Sequence, residues 1–409
     1  MSEGERLDAE GHGWRATWLT RWTFLSLASL CYWTGTQALR PMVALRLADL
    51  GSGDAVIGFV LGLHSFVTFF IAVPSGRLTD QIGLRRALLA GLAGMALAGV
   101  AFARFGSVWQ LAVVLMVAGV AELGAWVAMQ ALASHAGTGQ MLRRQLALFS
   151  FAWGAGLAFG PALGGALYAR AGFAWVGVSY AVAAVVGGVG GALLPGPGDS
   201  GRDRPQVSML SAVGQMWRSA PVKSVLLSSF VVLFVYGIRN SFYPLLLERR
   251  GVAINQIGLL LSTIGVASLL IRIPLPSMLR RAGAERTLIA SMWTAIIAIT
   301  LTPWLGSLWL YVGAVCIGIG LGVNPPVTME LMAVHTAAHE RGLAMGLRVG
   351  SNRLAQMVQP VLFGAVAAAA GLPAAFMAGG AFLIAVAVAS NPMARGRRSA
   401  DAPRPADGC

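Results

Sequence analysis

The chain has 409 residues, 56% of them hydrophobic and only 11% charged, where a soluble globular domain carries roughly a quarter charged residues. A mean hydropathy of +0.71 and apolar runs of about 20 residues, the length of a helix crossing a bilayer, exclude a water-soluble fold. The net charge of +14 does not point to nucleic acid, because the basic residues follow the membrane. With the amino terminus placed inside, only Arg46, Arg104, Arg170, Arg249 and Arg250 fall in outer loops, while most others fall in inner segments, as the positive-inside rule expects.

The apolar runs predict twelve helices, near residues 22–44, 55–75, 87–104, 107–131, 145–169, 173–194, 224–247, 255–277, 287–304, 307–330, 343–368 and 373–391. The fold class expected is an all-α membrane protein of 12 transmembrane helices in two six-helix halves, 1–194 and 224–394. An even number of crossings puts both termini on the cytoplasmic face. Residues 195–223 form a Pro/Gly-rich linker whose second part reads as an interfacial helix, and 395–409 form a short basic tail. Cys31 and Cys316 sit inside apolar runs and Cys409 is the last residue, so no disulfide framework is implied. The first run passes Trp33 without a cleavage site and does not read as a signal peptide.

The halves repeat at an offset of 200 residues: Gly51/Gly251, Ile57/Ile257, Gly58/Gly258, Pro74/Pro274, Gly83/Gly283, Arg86/Arg286 and Trp109/Trp309 are identical pairs. Parallel duplication about an axis along the membrane normal is a transporter architecture.

In chain order, the first run carries Trp33 and Arg40, and the second carries His64. Between the second and third runs, Gly76 to Arg86 reads GRLTDQIGLRR, with Asp80 an acid among Arg77, Arg85 and Arg86 and tight turns possible at Gly76 and Gly83. Such a cluster is either a conformational latch or a solvated topology anchor. The stretch resembles the signature loop of the major facilitator superfamily, G-x-L-a-D-r-x-G-r-r, with Gln81 and Leu84 replacing basic residues. That resemblance spans the whole chain in topology. It implies alternating access between two halves, with Gly76, Asp80, Gly83, Arg85 and Arg86 latching the cytoplasmic side. The second copy has Arg280 where Asp80 stands in the first, so its latch is weaker.

Glu122 on the fourth run is the only acid near mid-membrane, with Trp126 one turn on. An ionisable group at that depth needs a partner or a water-filled cavity, so Glu122 is either the proton carrier of a coupled cycle, with His64 as a second candidate, or a structural partner for Arg40. Drug–proton antiporters of the family carry an R-x-x-q-G pattern here, but Leu115 to Gly119 has no arginine. On the fifth run, Gly156, Gly160, Pro161, Gly164 and Gly165 resemble the family's antiporter motif, G-x-x-x-G-P-x-x-G-G. The small-residue spacing alone implies close helix packing and a bend; the resemblance favours export by exchange.

The seventh run carries Arg239 and Asn240, the eighth Arg272, the tenth Asn324, Pro325, Pro326 and Glu330, and the eleventh Arg348, Asn352, Arg353, Gln356 and Gln359. The paired prolines predict a break or kink in the tenth helix. Runs three, six, nine and twelve have no ionisable residue in their cores; the resemblance makes these the outer helices, so the charges line a central pathway. The candidate substrate contacts are Arg40, Arg239, Asn240, Asn324, Asn352, Arg353, Gln356, Trp33 and Trp126.

No cofactor and no metal are expected: His335, His339 and Glu340 lack H-E-x-x-H order and a third ligand, and no Walker loop is present. The function expected is therefore non-enzymatic, proton-coupled efflux of a small amphiphilic drug or metabolite by a monomer in the inner membrane. An organic-anion carrier is the alternative on the strength of the arginines, and a membrane sensor or lipid translocator is the alternative of another class.

Overall fold

The computed structural model describes residues 3–134, 139–194, 219–336 and 341–390. Residues 195–218 of the predicted linker 195–223, His339 and Glu340, and the tail lie outside them. The side chains of Gly76 and Asp80 also lie outside the described residues, although their backbone belongs to the second helix.

The chain is a helical bundle. The N-terminal half comprises α1 (Glu3–Asp49), α2 (Asp54–Ile82), α3 (Leu84–Arg104), α4 (Val108–Ser134), α5 (Gly139–Ala171) and α6 (Phe173–Ala192). The C-terminal half comprises α7 (Ala220–Asn240), α8 (Phe242–Arg249), α9 (Ile254–Leu270), α10 (Leu275–Ala282), α11 (Ala284–Leu301), α12 (Ser307–Val334), α13 (Arg341–Ala370) and α14 (Leu372–Ala389). Among the described residues ten helices are long and apolar enough to cross a membrane, and eleven if the bent pair α9–α10 is one span. Two helices stand outside that set: the eight-residue α8, and α1, where Gln37, Arg40 and Arg46 interrupt the apolar sequence.

Three elements differ from the sequence expectation. The seventh run is not one helix: it breaks at Ser241 between α7 and α8, where the Ser241 hydroxyl donates to the Gly237 carbonyl at 2.8 Å. A serine bonding back into its own helix competes with the backbone ladder. The eighth run bends by 60° between α9 and α10, at a segment ending in Pro274, whose ring cannot continue the hydrogen-bonding pattern. The tenth helix is not broken, and α12 runs continuously through Pro325 and Pro326. Beside the prolines the Thr328 hydroxyl donates to the Asn324 carbonyl at 2.7 Å, one turn back along the same helix.

The duplication is visible in the backbone. Among the described residues the six positive-φ glycines fall into pairs about 200 residues apart: Gly51 (75°) with Gly251 (78°), Gly83 (93°) with Gly283 (82°), and Gly172 (84°) with Gly371 (84°). Each is a tight turn between helices in a region that only glycine enters without strain.

The halves meet through α2 against α13 and α5 against α9. A Cβ on Gly258 of α9 would sit 2.6 Å from the Pro161 carbonyl oxygen of α5, and one on Gly165 would sit 2.9 Å from Gly258 Cα. Across the pseudo-twofold, a Cβ on Gly364 of α13 would sit 2.6 Å from the Asp54 carbonyl oxygen and 2.9 Å from Gly58 Cα of α2. On that same face Asp54 accepts two hydrogen bonds from Arg249, at 2.9 and 2.5 Å, tying α2 to α8. The bundle is thus closed at the face that carries the Gly51, Gly172, Gly251 and Gly371 turns. Arg249 is 42% exposed, so the pair is partly screened. Asp54→Asn is expected to weaken the closed state by about 1 kcal/mol, read as faster labelling of cysteines introduced on that face, and the swap Asp54→Arg/Arg249→Asp should restore the wild-type rate.

Candidate functional site

The five motif residues of α5 serve two faces of one helix. Gly156, Gly160 and Gly164, four residues apart, face α1: a Cβ on Gly156 would meet Trp33 Cβ at 2.6 Å, one on Gly160 would meet Gln37 Cβ at 2.7 Å, and one on Gly164 would meet Ala38 backbone at 2.8 Å. Pro161 and Gly165 face Gly258 of the other half. The Ala162 backbone N–H also crosses the halves, donating to the Ser262 hydroxyl at 2.9 Å. On the eleventh predicted run only Pro360 and Gly364 keep the motif, and these two make the equivalent inter-half contact with Gly58.

By packing so tightly on α5, α1 delivers Arg40 to the centre, where it forms an ion pair with Glu122 of α4. Glu122 is 3% exposed. Its second oxygen accepts from the Tyr180 hydroxyl of α6 at 2.9 Å, and its backbone carbonyl accepts from the Tyr32 hydroxyl at 3.1 Å. His64 of α2 places Nε2 at 3.1 Å from the Glu122 carboxylate and 3.4 Å from Arg40. One ring nitrogen therefore serves two roles: carrying hydrogen it donates to Glu122, and bare it accepts from Arg40. The two candidate proton carriers are in direct contact.

A second polar centre lies across the interface. Arg239 of α7 is 1% exposed and donates through Nη1 to Gln37 Oε1 at 2.7 Å and Asn240 Oδ1 at 2.9 Å, and through Nη2 to the Leu261 carbonyl at 2.9 Å. Gln37 donates onward to the Tyr236 hydroxyl at 2.7 Å. All the acceptors are neutral, and Nε has no partner among the described residues.

Between the two centres a cavity with about 510 Å³ of empty space, including its open mouth, is lined from both halves. Arg40, Leu61, His64, Ser65 and Leu115 come from the N-terminal half, and Tyr236, Gly237, Asn240, Ser241, Gln356, Gln359 and Pro360 from the C-terminal half. Beside Glu122, Trp33, Trp126 and Trp153 pack ring against ring with centroids 5.1–5.6 Å apart, Tyr32 stacks on Trp126 at 5.9 Å, and Arg272 lies 5.3 Å above the Trp153 ring. Arg353 is half-buried and makes no hydrogen bond or ion pair among the described residues.

Of the remaining sequence candidates, Asn324 is fully buried and donates to the Ser228 carbonyl at 3.3 Å, so it ties α12 to α7 away from the cavity. Asn352 is half-buried with Oδ1 unpartnered and does not line the cavity. Of the latch residues with described side chains, Gly83 forms the turn between α2 and α3, Arg85 donates to the Ala192 carbonyl at the end of α6, and Arg86 is exposed. The Arg85 contact stays within one half. Sequence reasoning missed Tyr32, Tyr180 and Gln37. The last had a readable signal, standing one helical turn before Arg40; Tyr180 had none, because it reaches Glu122 from a helix without charge.

A duplicated helical bundle whose buried charges converge on a cavity between its halves defines a membrane transporter, not an enzyme. The family model described as Major Facilitator Superfamily matches residues 25–251 and again 225–407, and the chain belongs to that family. Similar proteins include the class H tetracycline resistance protein of Pasteurella multocida, 22% identical over 80% of this chain and 84% of its own length, and the class C tetracycline resistance protein of Escherichia coli, 23% identical over 82% and 86%. Among solved structures, the nucleoside transporter NupG superposes with a TM-score of 0.75 at 13% identity, covering 93% of this chain and 99% of its own. At that identity the likeness is one of fold.

Proposed function

We propose that this chain is a proton-coupled exporter of a small amphiphilic compound, with α1 as a twelfth crossing, the two halves 1–194 and 224–394 rocking about the central cavity, and both termini in the cytoplasm. With that orientation the sealed face is the outer one, so the cavity takes cargo from inside. The observation that carries the reading is Glu122, a carboxylate buried at the back of the cavity and reached from it through His64. Ionised Glu122 is balanced by Arg40. A proton passed by His64 removes that charge, leaves Arg40 without its counter-ion, and loosens the clamp among α1, α2 and α4, which biases the exchange between the two facing states. The tetracycline resistance relatives and the α5 motif support the direction of export.

Everted membrane vesicles with an imposed pH gradient test this, offered cationic, neutral and anionic compounds in turn. At least one compound should collapse the gradient with wild type and fail with Glu122→Gln. A folded wild-type protein that moves no protons with any compound would reject proton exchange.

A further inference from the structure

We infer that the cargo presents an anionic group, carboxylate-like in geometry, to the guanidinium of Arg353. The inference rests on reading the central cavity as the cargo site. Arg40 lines that cavity, Arg239 precedes the lining residue Asn240 in the chain, and Arg353 stands one turn before the lining residue Gln356, while the carboxylate that meets Arg40 is that of Glu122. Glu122 is committed to Arg40. Neither Arg239 nor Arg353 has an acidic partner among the described residues, and a buried cation without one is costly.

The two differ in what they have left to offer. Arg239 is closed in, and both terminal nitrogens are bonded to Gln37, Asn240 and the Leu261 carbonyl. It acts as a fixed positive charge behind the cavity wall. Arg353 is half-buried and uncommitted. It stands one turn before Gln356, which lines the cavity, and its charge is felt by Arg40, Glu122 and Tyr236. A guanidinium offers a planar fork that pairs with a carboxylate through two parallel hydrogen bonds, and the Gln356 and Asn240 amides are placed at the same wall for the rest of the head group. A cationic head would face like charges on two sides, and a neutral one would leave both arginines without a counter-charge. While Glu122 is ionised it holds Arg40, so in that state the anion site at Arg353 is separate from the proton site.

The test is equilibrium binding of three probes of one shape, 2-naphthoate, 2-naphthamide and 2-naphthylmethylammonium, to the purified full chain in nanodiscs, followed by tryptophan fluorescence. Naphthoate should bind at least about tenfold more tightly than the amide, a ratio of one hydrogen-bonded charge contact. Arg353→Gln should cut that ratio to within about threefold, with thermal unfolding of the nanodisc-embedded variant matching wild type to show that it is folded, and Arg353→Lys should keep part of the preference. The inference is overturned if naphthoate does not bind, if the amide or ammonium binds as tightly, or if Arg353→Gln keeps the full ratio. Loss of the naphthoate preference alongside Glu122-dependent gradient collapse by a cationic compound sinks the anion site and leaves proton-coupled export standing. A naphthoate preference lost in Arg353→Gln, in vesicles that move no protons, does the reverse.

Discussion

Arg40→Leu is expected to destabilise the purified bundle by about 3–5 kcal/mol, the cost of leaving a buried carboxylate without its partner. The double variant Arg40→Leu/Glu122→Leu should recover most of that loss, because it removes both charges and fills similar volume. What remains is Tyr180 and His64 without their acceptor, at about 1 kcal/mol each. His64 stands 3.1 Å from the carboxylate and can take up part of the charge in the single variant, so adding His64→Gln to Arg40→Leu should deepen the defect. Detergent-titrated or thermal unfolding reads all four proteins. A single variant within about 1 kcal/mol of wild type would show that the pair does not anchor α1 to α4. Transport separates the two roles: the double variant should fold and move no protons.

Gly258→Ala should open the sealed face. The added Cβ would lie 2.6 Å from the Pro161 carbonyl oxygen and 3.1 Å from Gly165 Cα, both backbone atoms that have no rotamer in which to retreat. Overpacking of this kind costs about 1–3 kcal/mol, and here the cost falls on one facing state only. At 1.4 kcal/mol per tenfold, the equilibrium between states should move by about tenfold, measured as labelling of Ile254→Cys by an impermeant maleimide. Gly124→Ala is the control, since a Cβ there meets nothing within 4 Å. Equal labelling in both variants would mean that the α5–α9 contact is not what closes that face.

The pairing that these experiments probe was partly readable from sequence. A lone acid in an apolar run must find a cation or water, so Glu122 and Arg40 announced themselves, and the α5 motif announced a close helix contact. Which neighbour the motif served was not readable. Glycines four apart state only that something comes near, and the division into an α1 face and an α9 face emerges from the packing. The break at Ser241 was hidden because the sequence stays apolar across it. At Pro325-Pro326 the sequence offered a break or a kink, and the break is absent: α12 runs through both prolines, with Asn324 and Thr328 buried beside them. Tyr180 was silent for a third reason: an uncharged polar side chain costs little in an apolar run and leaves no periodic trace.

Arg239 has a consequence for energetics at the scale of the whole membrane. A charge that no carboxylate among the described residues balances sits in the path of the transmembrane voltage, and in the proposed cycle the field across that charge is redistributed when the cavity changes sides. Each elementary charge moved through 100 mV is worth about 2.3 kcal/mol, so the empty carrier's return is an electrical step, and a monoanionic cargo on Arg353 cancels one charge of it. Turnover should therefore bend with membrane potential at zero pH gradient, and the bend should flatten in Arg239→Gln.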